Sequence, residues 1–314
     1  MNKEKIIPLI KGSIKHLPGV KKFLPKKTGG TIESRYCYSV WMRHLRHWAK
    51  VYNKIPNIVA ELGPGDSLGI GLAALLTGCN KVYALDVVKY WNNQRNLRIF
   101  EELIELFKSK INIPDNTEYP KVKPEIDNYN FPFDIISEAQ SNESLSEDRL
   151  TRIKNELSNI DNPDNSFILY QIPWYDSGVI RRNSVDFIYS QAVLEHVEDL
   201  ENTYNAMNKW LKPSGLMSHT IDFKSHGITK SWNGHWTFSD FEWKIVKGGK
   251  DFLINRHPFS YHTELHSIYG FKILEESFVK LKNNLTKKQL SKRFKILTDE
   301  EITTSEMYIL SKKE

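Results

Sequence analysis

Asn57-Ile-Val-Ala-Glu-Leu-Gly-Pro-Gly-Asp-Ser-Leu-Gly69 decides how this chain folds. Ile58 to Ala60 are apolar and read as a short buried strand. Glu61 follows, then glycines at 63, 65 and 69, then an apolar run from Ile70 to Leu76. The order is strand, glycine turn, helix. Glycine lets a backbone turn tightly and approach a ligand. The helix that follows points its unpaired N–H groups at whatever occupies the turn. A second strand, Lys81-Val-Tyr-Ala-Leu-Asp86, ends in an acid. Asp86 follows Gly65 by 21 residues, the spacing at which a second-strand carboxylate reaches a ribose hydroxyl pair. The pattern predicts a doubly wound α/β sheet.

Two cofactors use such a turn. The dinucleotide fingerprint G-x-G-x-x-G is incomplete here, because Leu68 stands at its last glycine. The other arrangement places an acid two residues before the first glycine, as Glu61 stands to Gly63. With that acid, Gly65, and Ser67 at the third glycine position, the stretch resembles the first motif of class I S-adenosylmethionine-dependent methyltransferases. The resemblance is strongest at Ser184-Val-Asp-Phe-Ile-Tyr-Ser190, a fourth strand, which runs into Gln191-Ala-Val-Leu-Glu-His-Val197. Lys212-Pro-Ser-Gly215 is similar to the turn before the family's fifth strand, here Leu216 to Phe223. Phe271 to Glu276 and Ser305 to Lys312 read as the last two strands. The resemblance covers about residues 36–313 outside an insertion. It implies a Rossmann-like, doubly wound seven-stranded sheet with an antiparallel C-terminal strand and helical insertions.

For the site, the resemblance implies that Glu61, Gly63, Gly65, Ser67, Asp86 and Val87 hold S-adenosyl-L-methionine. At the third-strand exit, Gln171 or Asp176 meets the adenine amino group, and Ile172, Trp174 or Tyr175 packs on the ring. Ser190 and Gln191 line the methionine end. A transferred methyl needs a positioned acceptor and, for a hydroxyl, a base near neutral pKa, which favours histidine. The candidates are His219, His226 and His196, with Asp222 as orienting carboxylate or base. Asp222 and His226 alone fall short of a metal site, and no metal is expected. Strand alternation sets His219 and Asp222 on opposite faces.

Composition bounds the alternatives. The chain has 314 residues and a net charge of +6, much of it near the two ends. No apolar run reaches the roughly 18 residues of a membrane span, and the lysine-bearing start lacks a signal-peptide core. Cys37 and Cys79 are the only cysteines, which excludes a disulfide framework, a zinc-cysteine site and a three-cysteine iron–sulfur motif. A cytoplasmic protein is expected.

Residues 1–50 read as a basic N-terminal segment and a covering helix, and 51–314 as the catalytic domain with insertions at about 111–165 and 224–258. Ile6, Ile7, Ile10, Ile14 and Leu17 share a helical face that Pro8 and Pro18 interrupt. That face either caps the main domain or lies weakly on a membrane surface. Thr28-Gly-Gly-Thr31 reads as a flexible joint. The aromatic helix Tyr36 to Trp48 either touches substrate or fills the core. Helices are predicted over 94–110, 146–160, 201–211, 260–269 and 285–295. The aromatic stretch 224–258, with Trp232, His235, Trp236, Phe238, Phe241, Trp243 and Phe252, suits either stacking on a sugar or a packed lid.

The best-supported acceptor is a small molecule, a sugar or glycan precursor methylated at a hydroxyl, because the His219-x-Ile-Asp222 pattern resembles enzymes encoded alongside polysaccharide-assembly proteins. The alternatives are a scaffold that has lost turnover, or an RNA methyltransferase using the basic ends. DNA is not expected as a partner.

Overall fold

The computed structural model describes residues 3–15, 30–90, 92–174, 176–248, 253–282 and 285–314. Leu17, Pro18, Thr28, Gly29, Tyr175 and Phe252, which figure in the sequence reading, lie outside these residues. The elements run α1 (Lys3–Lys15), α2 (Ser34–Tyr52), β1 (Ile58–Leu62), α3 (Gly69–Thr77), β2 (Lys81–Leu85), α4 (Asn93–Lys108), α5 (Glu138–Ser144), α6 (Glu147–Ser158), β3 (Ile168–Gln171), β4 (Val185–Gln191), α7 (Leu200–Trp210), β5 (Leu211–Asp222), α8 (Asp240–Lys247), α9 (Phe259–Ile268), β6 (Phe271–Lys280), α10 (Asp299–Thr303) and β7 (Thr304–Lys313).

The seven strands form one sheet in the order β3-β2-β1-β4-β5-β7-β6. Neighbours among β1 to β5 are parallel, with Ala60 beside Tyr83 and Ile188, and Ile188 beside Met217. β7 runs antiparallel to both β5 and β6. The expected sheet is therefore the observed one. Strand order reverses between β1 and β4, and ligands of such sheets sit at the carboxyl ends flanking that switch.

Alternating side chains split the core into two layers. Val59, Val82, Phe187 and Tyr189 face α2, α3 and α4. Ala60, Leu62, Ile188, Met217 and Ile221 face α7 and α9. Helix α2 belongs wholly to the first layer: Tyr38, Trp41, Met42 and Leu45 are fully buried. Its Tyr38, Trp41 and Trp48 are core.

The 111–165 insertion wraps the outer side of this layer. Its Ile113, Val122, Phe131, Ile136, Ile153 and Leu157 join the same cluster. The fully buried Arg43 of α2 sews it down, donating to the carbonyls of Val122 (2.6 Å) and Pro114 (3.0 Å) and to Asn116 Oδ1 (2.9 Å). His47 Nε2–H donates to the Glu125 carbonyl (2.9 Å).

Three local expectations need correction. Pro8 does not interrupt α1, which runs through it. Pro8 and Gly12 form the buried face, where a Cβ on Gly12 would come within 2.2 Å of the Ile245 carbonyl oxygen. The isoleucines at 7, 10 and 14 are exposed instead, because the close approach to α8 admits only the small face. The Glu4 carboxylate accepts from the Lys230 and Ser231 amides, and Lys5 pairs with Glu242 at 2.8 Å. Second, 285–295 is not a helix. It is a chain of turns ending in a 3-10 turn, Lys292–Phe294. The Gln289 side chain takes the Thr286 amide and hydroxyl, a local bond that competes with helix. Leu285, Leu290, Phe294 and Leu297 close over Trp236. Third, β5 begins at Leu211, directly after α7. The Lys212–Gly215 turn is a bulge within it, with Ser214 at φ 66°.

Replacing Arg43 with alanine leaves several buried carbonyls unpaired, and the expected loss is about 3 kcal/mol. Urea unfolding of the variant against the parent measures it; a loss below about 1 kcal/mol would show that the insertion does not depend on this side chain.

Candidate active site

The glycine turn takes its shape from two left-handed residues, Gly63 (φ 65°) and Gly65 (φ 72°). A Cβ on Gly63 would lie 2.6 Å from Val193 Cγ2, so the turn presses against the segment that leaves β4. A Cβ on Gly65 would meet only Thr31 Oγ1 at 3.5 Å and the Gly63 carbonyl at 4.0 Å. It would otherwise project into the open cradle where a cofactor must approach the backbone.

Around this cradle the protein satisfies the turn's own polar groups. Thr31 is a latch rather than a joint: its hydroxyl donates to the Pro64 carbonyl (3.1 Å) and accepts from the Ser67 amide (3.2 Å). Ser67 is fully buried. Its hydroxyl donates to the Thr31 carbonyl and accepts from the Gly69 amide at 3.1 Å, the first amide of α3. From α4, Asn96 Oδ1 accepts from the Leu68 amide (3.0 Å) and Arg95 donates to the Asp66 carbonyl (2.7 Å). Ser67 is thus turned away from the cradle and serves the loop.

Glu61 is also turned inward. Its carboxyl is buried and accepts from the Tyr189 hydroxyl at 3.4 Å. Burial pushes its pKa up to about 8, against the Gly71 amide and the Tyr189 hydroxyl, which pull it down. It supports the first turn of α3 from beneath. Asp86, at the end of β2, faces the cradle: its carboxylate accepts from the Gly65 amide (3.4 Å) and the Val87 amide (2.7 Å). Burial raises its pKa, and the three amides of Val87, Val88 and Gly65 oppose that. Gln171 lies at the β3 exit with its amide near the Pro173 carbonyl (3.4 Å), and Ile172 is half-buried beside it. Asp176 is spent on its own turn, accepting from the Gly178 amide at 2.8 Å.

At the end of β4, Ser190 and His219 are fully buried and share a hydrogen bond of 2.7 Å through Nδ1. Burial, with His266, His44 and His262 nearby, drives the His219 pKa well below its ordinary value. His219 therefore stays neutral and faces the α7–α9 layer, three strand residues before Asp222 and on the other face. Gln191 follows on the opposite side. Its side chain lies beside the buried imidazole of His44.

The remaining candidates meet at the ends of β4 and β5. His226 Nε2 lies 3.8 Å from Asp222 Oδ2, and the His226 ring meets His196 edge to face at 5.0 Å. His226 has φ 49°, a left-handed turn that brings its ring back over the strand ends. A cavity of about 310 Å³ opens here, lined by Asp222, Lys224, His226, Thr229, Lys230 and Trp232 among others. Among the described residues of the 224–258 stretch, Trp232 is the one Trp, Tyr or Phe on this lining. Trp236 and Phe238 are fully buried, Trp243 packs with Phe238, Val246 and Ile254, and Phe241 is 74% exposed. The hydrophobicity of Trp236, Phe238 and Trp243 is used in packing.

Sequence reasoning missed three residues. Thr31 and Asn96 lie outside the glycine motif and act through side-chain bonds that only the fold assembles. Asn255 donates to the carbonyls of Leu194 (2.8 Å) and Val197 (2.9 Å), and its amide donates to the Glu195 carbonyl (2.7 Å). It pins the 3-10 turn Leu194–His196 that follows β4.

Gly63→Ala is expected to be destabilising twice over, through positive φ and through Val193. Adding Val193→Ala should restore part of the loss, leaving about 1 kcal/mol for the backbone; paired unfolding curves separate the two. Glu61 titrates differently. In the fold it keeps its proton up to about pH 8, whereas its ordinary value is 4.5. The unfolded chain therefore binds fewer protons across that window, and stability falls as pH rises through it. Glu61→Gln should flatten this fall, read as the difference between parent and variant stabilities at the two ends of the window.

A family model described as a methyltransferase domain matches residues 139–218, which hold β3, β4, α7 and the start of β5. No curated protein matches the chain. Among solved structures, the chain is similar to an S-adenosylmethionine-dependent methyltransferase from Mesorhizobium loti, at 14% identity over 82% of this chain and 91% of that one, with a TM-score of 0.40. It is also similar to one from Methanosarcina mazei, at 13% identity over 84% and 96%, with a TM-score of 0.43. The open cradle at Gly65, the carboxylate of Asp86 facing it and the half-buried Ile172 fit a nucleoside-bearing cofactor. The chain has the Rossmann-like fold of methyltransferases, and residues 139–218 of it match a methyltransferase domain.

Proposed function

We propose that the protein methylates a hydroxyl group of a sugar or glycan precursor in polysaccharide assembly. The observation that carries this reading is the cavity at the ends of β4 and β5. One aromatic face, Trp232, stands among polar and charged groups: Asp222, Lys224, Ser225, His226, Thr229 and Lys230. A ring for stacking with several hydrogen-bonding groups around it suits a polyhydroxylated ligand, whereas an apolar acceptor would leave those groups unpaired. The exposed Ile7, Ile10 and Ile14 of α1 are the face by which the enzyme would meet a membrane surface.

In this reading Gly63 and Gly65 let the backbone approach the cofactor, Asp86 accepts from the ribose hydroxyls, and Val87, Gln171 and Ile172 surround the adenine. Ser190, fixed by His219, and Gln191 border the methionine end. When bound, S-adenosylmethionine supplies a methyl group activated on a sulfonium, and a neutral thioether remains after transfer. The chain positions the acceptor oxygen, excludes water and takes the proton. That proton passes from the acceptor hydroxyl to the Asp222–His226 pair as the oxygen forms its new bond to carbon. His219 does not serve as base here, because it is buried and bonded to Ser190.

Calorimetric titration with S-adenosylmethionine tests the cofactor half. Asp86→Ala is expected to weaken binding ten-fold or more, about 1.4 kcal/mol. Transfer to nucleotide sugars tests the acceptor half: His226→Ala should lower kcat by about 10²-fold with cofactor affinity unchanged. Methylation of none of a broad nucleotide-sugar panel by a cofactor-binding protein would remove the sugar reading.

A further inference from the structure

We propose that Glu195, His196 and His226 form a binding site for a first-row divalent cation at the acceptor end of the active site. The inference rests on the methyltransferase reading only for its use, not for its existence. One ligand atom from each residue lies within 4.8 Å of the others. A cation with ligands at about 2.0–2.2 Å draws its donors to roughly 3–4 Å from each other, so side-chain shifts on the order of 1 Å close the set.

The three residues come from two separate strand ends. Glu195 and His196 lie in the 3-10 turn after β4, which Asn255 pins by three hydrogen bonds. His226 lies in the turn after β5, four residues beyond Asp222. Its left-handed backbone, followed by Gly227 at φ 73°, returns the imidazole to Glu195 and His196. This is why Asp222 and His226 alone do not amount to a site in the sequence: the decisive carboxylate belongs to another strand.

Glu195 supplies an independent sign. It is 2% exposed, and neither carboxylate oxygen has a hydrogen-bond partner among the described residues. Its own amide and that of Asp222 lie close enough to favour the charged form, but burial outweighs them. No ion pair compensates it among the described residues either; the neighbouring Lys224 is engaged with Asp222 (3.0 Å) and Glu306. A buried carboxylate without a cationic partner is costly unless it takes up a proton or meets a cation.

Two imidazole nitrogens and one carboxylate oxygen suit Mn²⁺, Fe²⁺, Co²⁺ or Zn²⁺ better than the all-oxygen preference of Ca²⁺ or Mg²⁺. Three protein ligands leave coordination positions open. His226 also lines the cavity assigned to the acceptor, so those positions face the substrate side. A cation there would hold the acceptor oxygen and favour its deprotonated form. The proton then goes to Asp222, whose Oδ2 lies beside His226.

The test is titration of the full-length, chelator-treated protein with MnCl₂, followed by electron paramagnetic resonance. One saturable site per chain is expected, weakened at least ten-fold by Glu195→Gln and by His226→Ala. No saturable binding, or binding that survives both substitutions, overturns the proposal. Thermal melting checks that each variant is folded; should Glu195→Gln fail to fold, the exposed His226→Ala decides. Calorimetry with S-adenosylmethionine on the same preparation separates the two ideas. Cofactor binding without Mn²⁺ binding sinks the cation alone, and Mn²⁺ binding without cofactor binding sinks the methyltransferase reading alone.

Discussion

The structure depends on closing a left-handed turn between β1 and α3 without leaving its amides unpaired. Gly63 and Gly65 supply the backbone geometry, but geometry alone leaves a buried turn full of polar groups. Thr31, Ser67 and Asn96 take the bonds inside the protein, and Asp86 takes the Gly65 amide on the open side. Val193, pressed against Gly63, ties the same turn to the exit of β4. The glycine cradle and the exit of β4 are thus two sides of one contact.

Buried polar groups organise the first core layer as well. Arg43 and His47 reach from α2 to the carbonyls of an insertion whose sequence is mostly loop-forming. A loop rich in Pro, Asn and Asp has no ladder partners, so its carbonyls need donors from elsewhere. Arg43 provides several from one planar group. The insertion's apolar residues then extend the hydrophobic layer, which explains how a long irregular connection is tolerated inside an α/β domain.

Around the ends of β4 and β5, histidines divide by depth. His219, His262 and His266 are fully buried, and burial lowers their pKa values; they pack and orient. His226 stands exposed beside Asp222, and its neighbour His196 is half-buried. The strand carries His219 and Asp222 three residues apart, but alternation and burial give them unlike tasks. Trp236 and Phe238 were equally able, on composition, to bind a sugar; their burial beneath Leu290 and Phe294 or beside Trp243 decides otherwise.

The sequence by itself determined the sheet, the glycine turn and Asp86, because these follow from local rules: strand period, positive φ at glycine, and a fixed distance to the second-strand acid. It also marked the run from Ser184 to Val197. It could not show that Glu61 and Ser67 turn inward, since a side chain's direction at a strand end is set by the helix packed against it. Nor could it join Glu195 to His226, which lie on different strand ends, or recognise Thr31 in what reads as a joint. Helix 285–295 failed for a related reason: a local side-chain bond and a hydrophobic surface over Trp236 outweigh weak helical propensity. Contacts between residues distant in the chain have no local signature, and here the tertiary structure alone chose them.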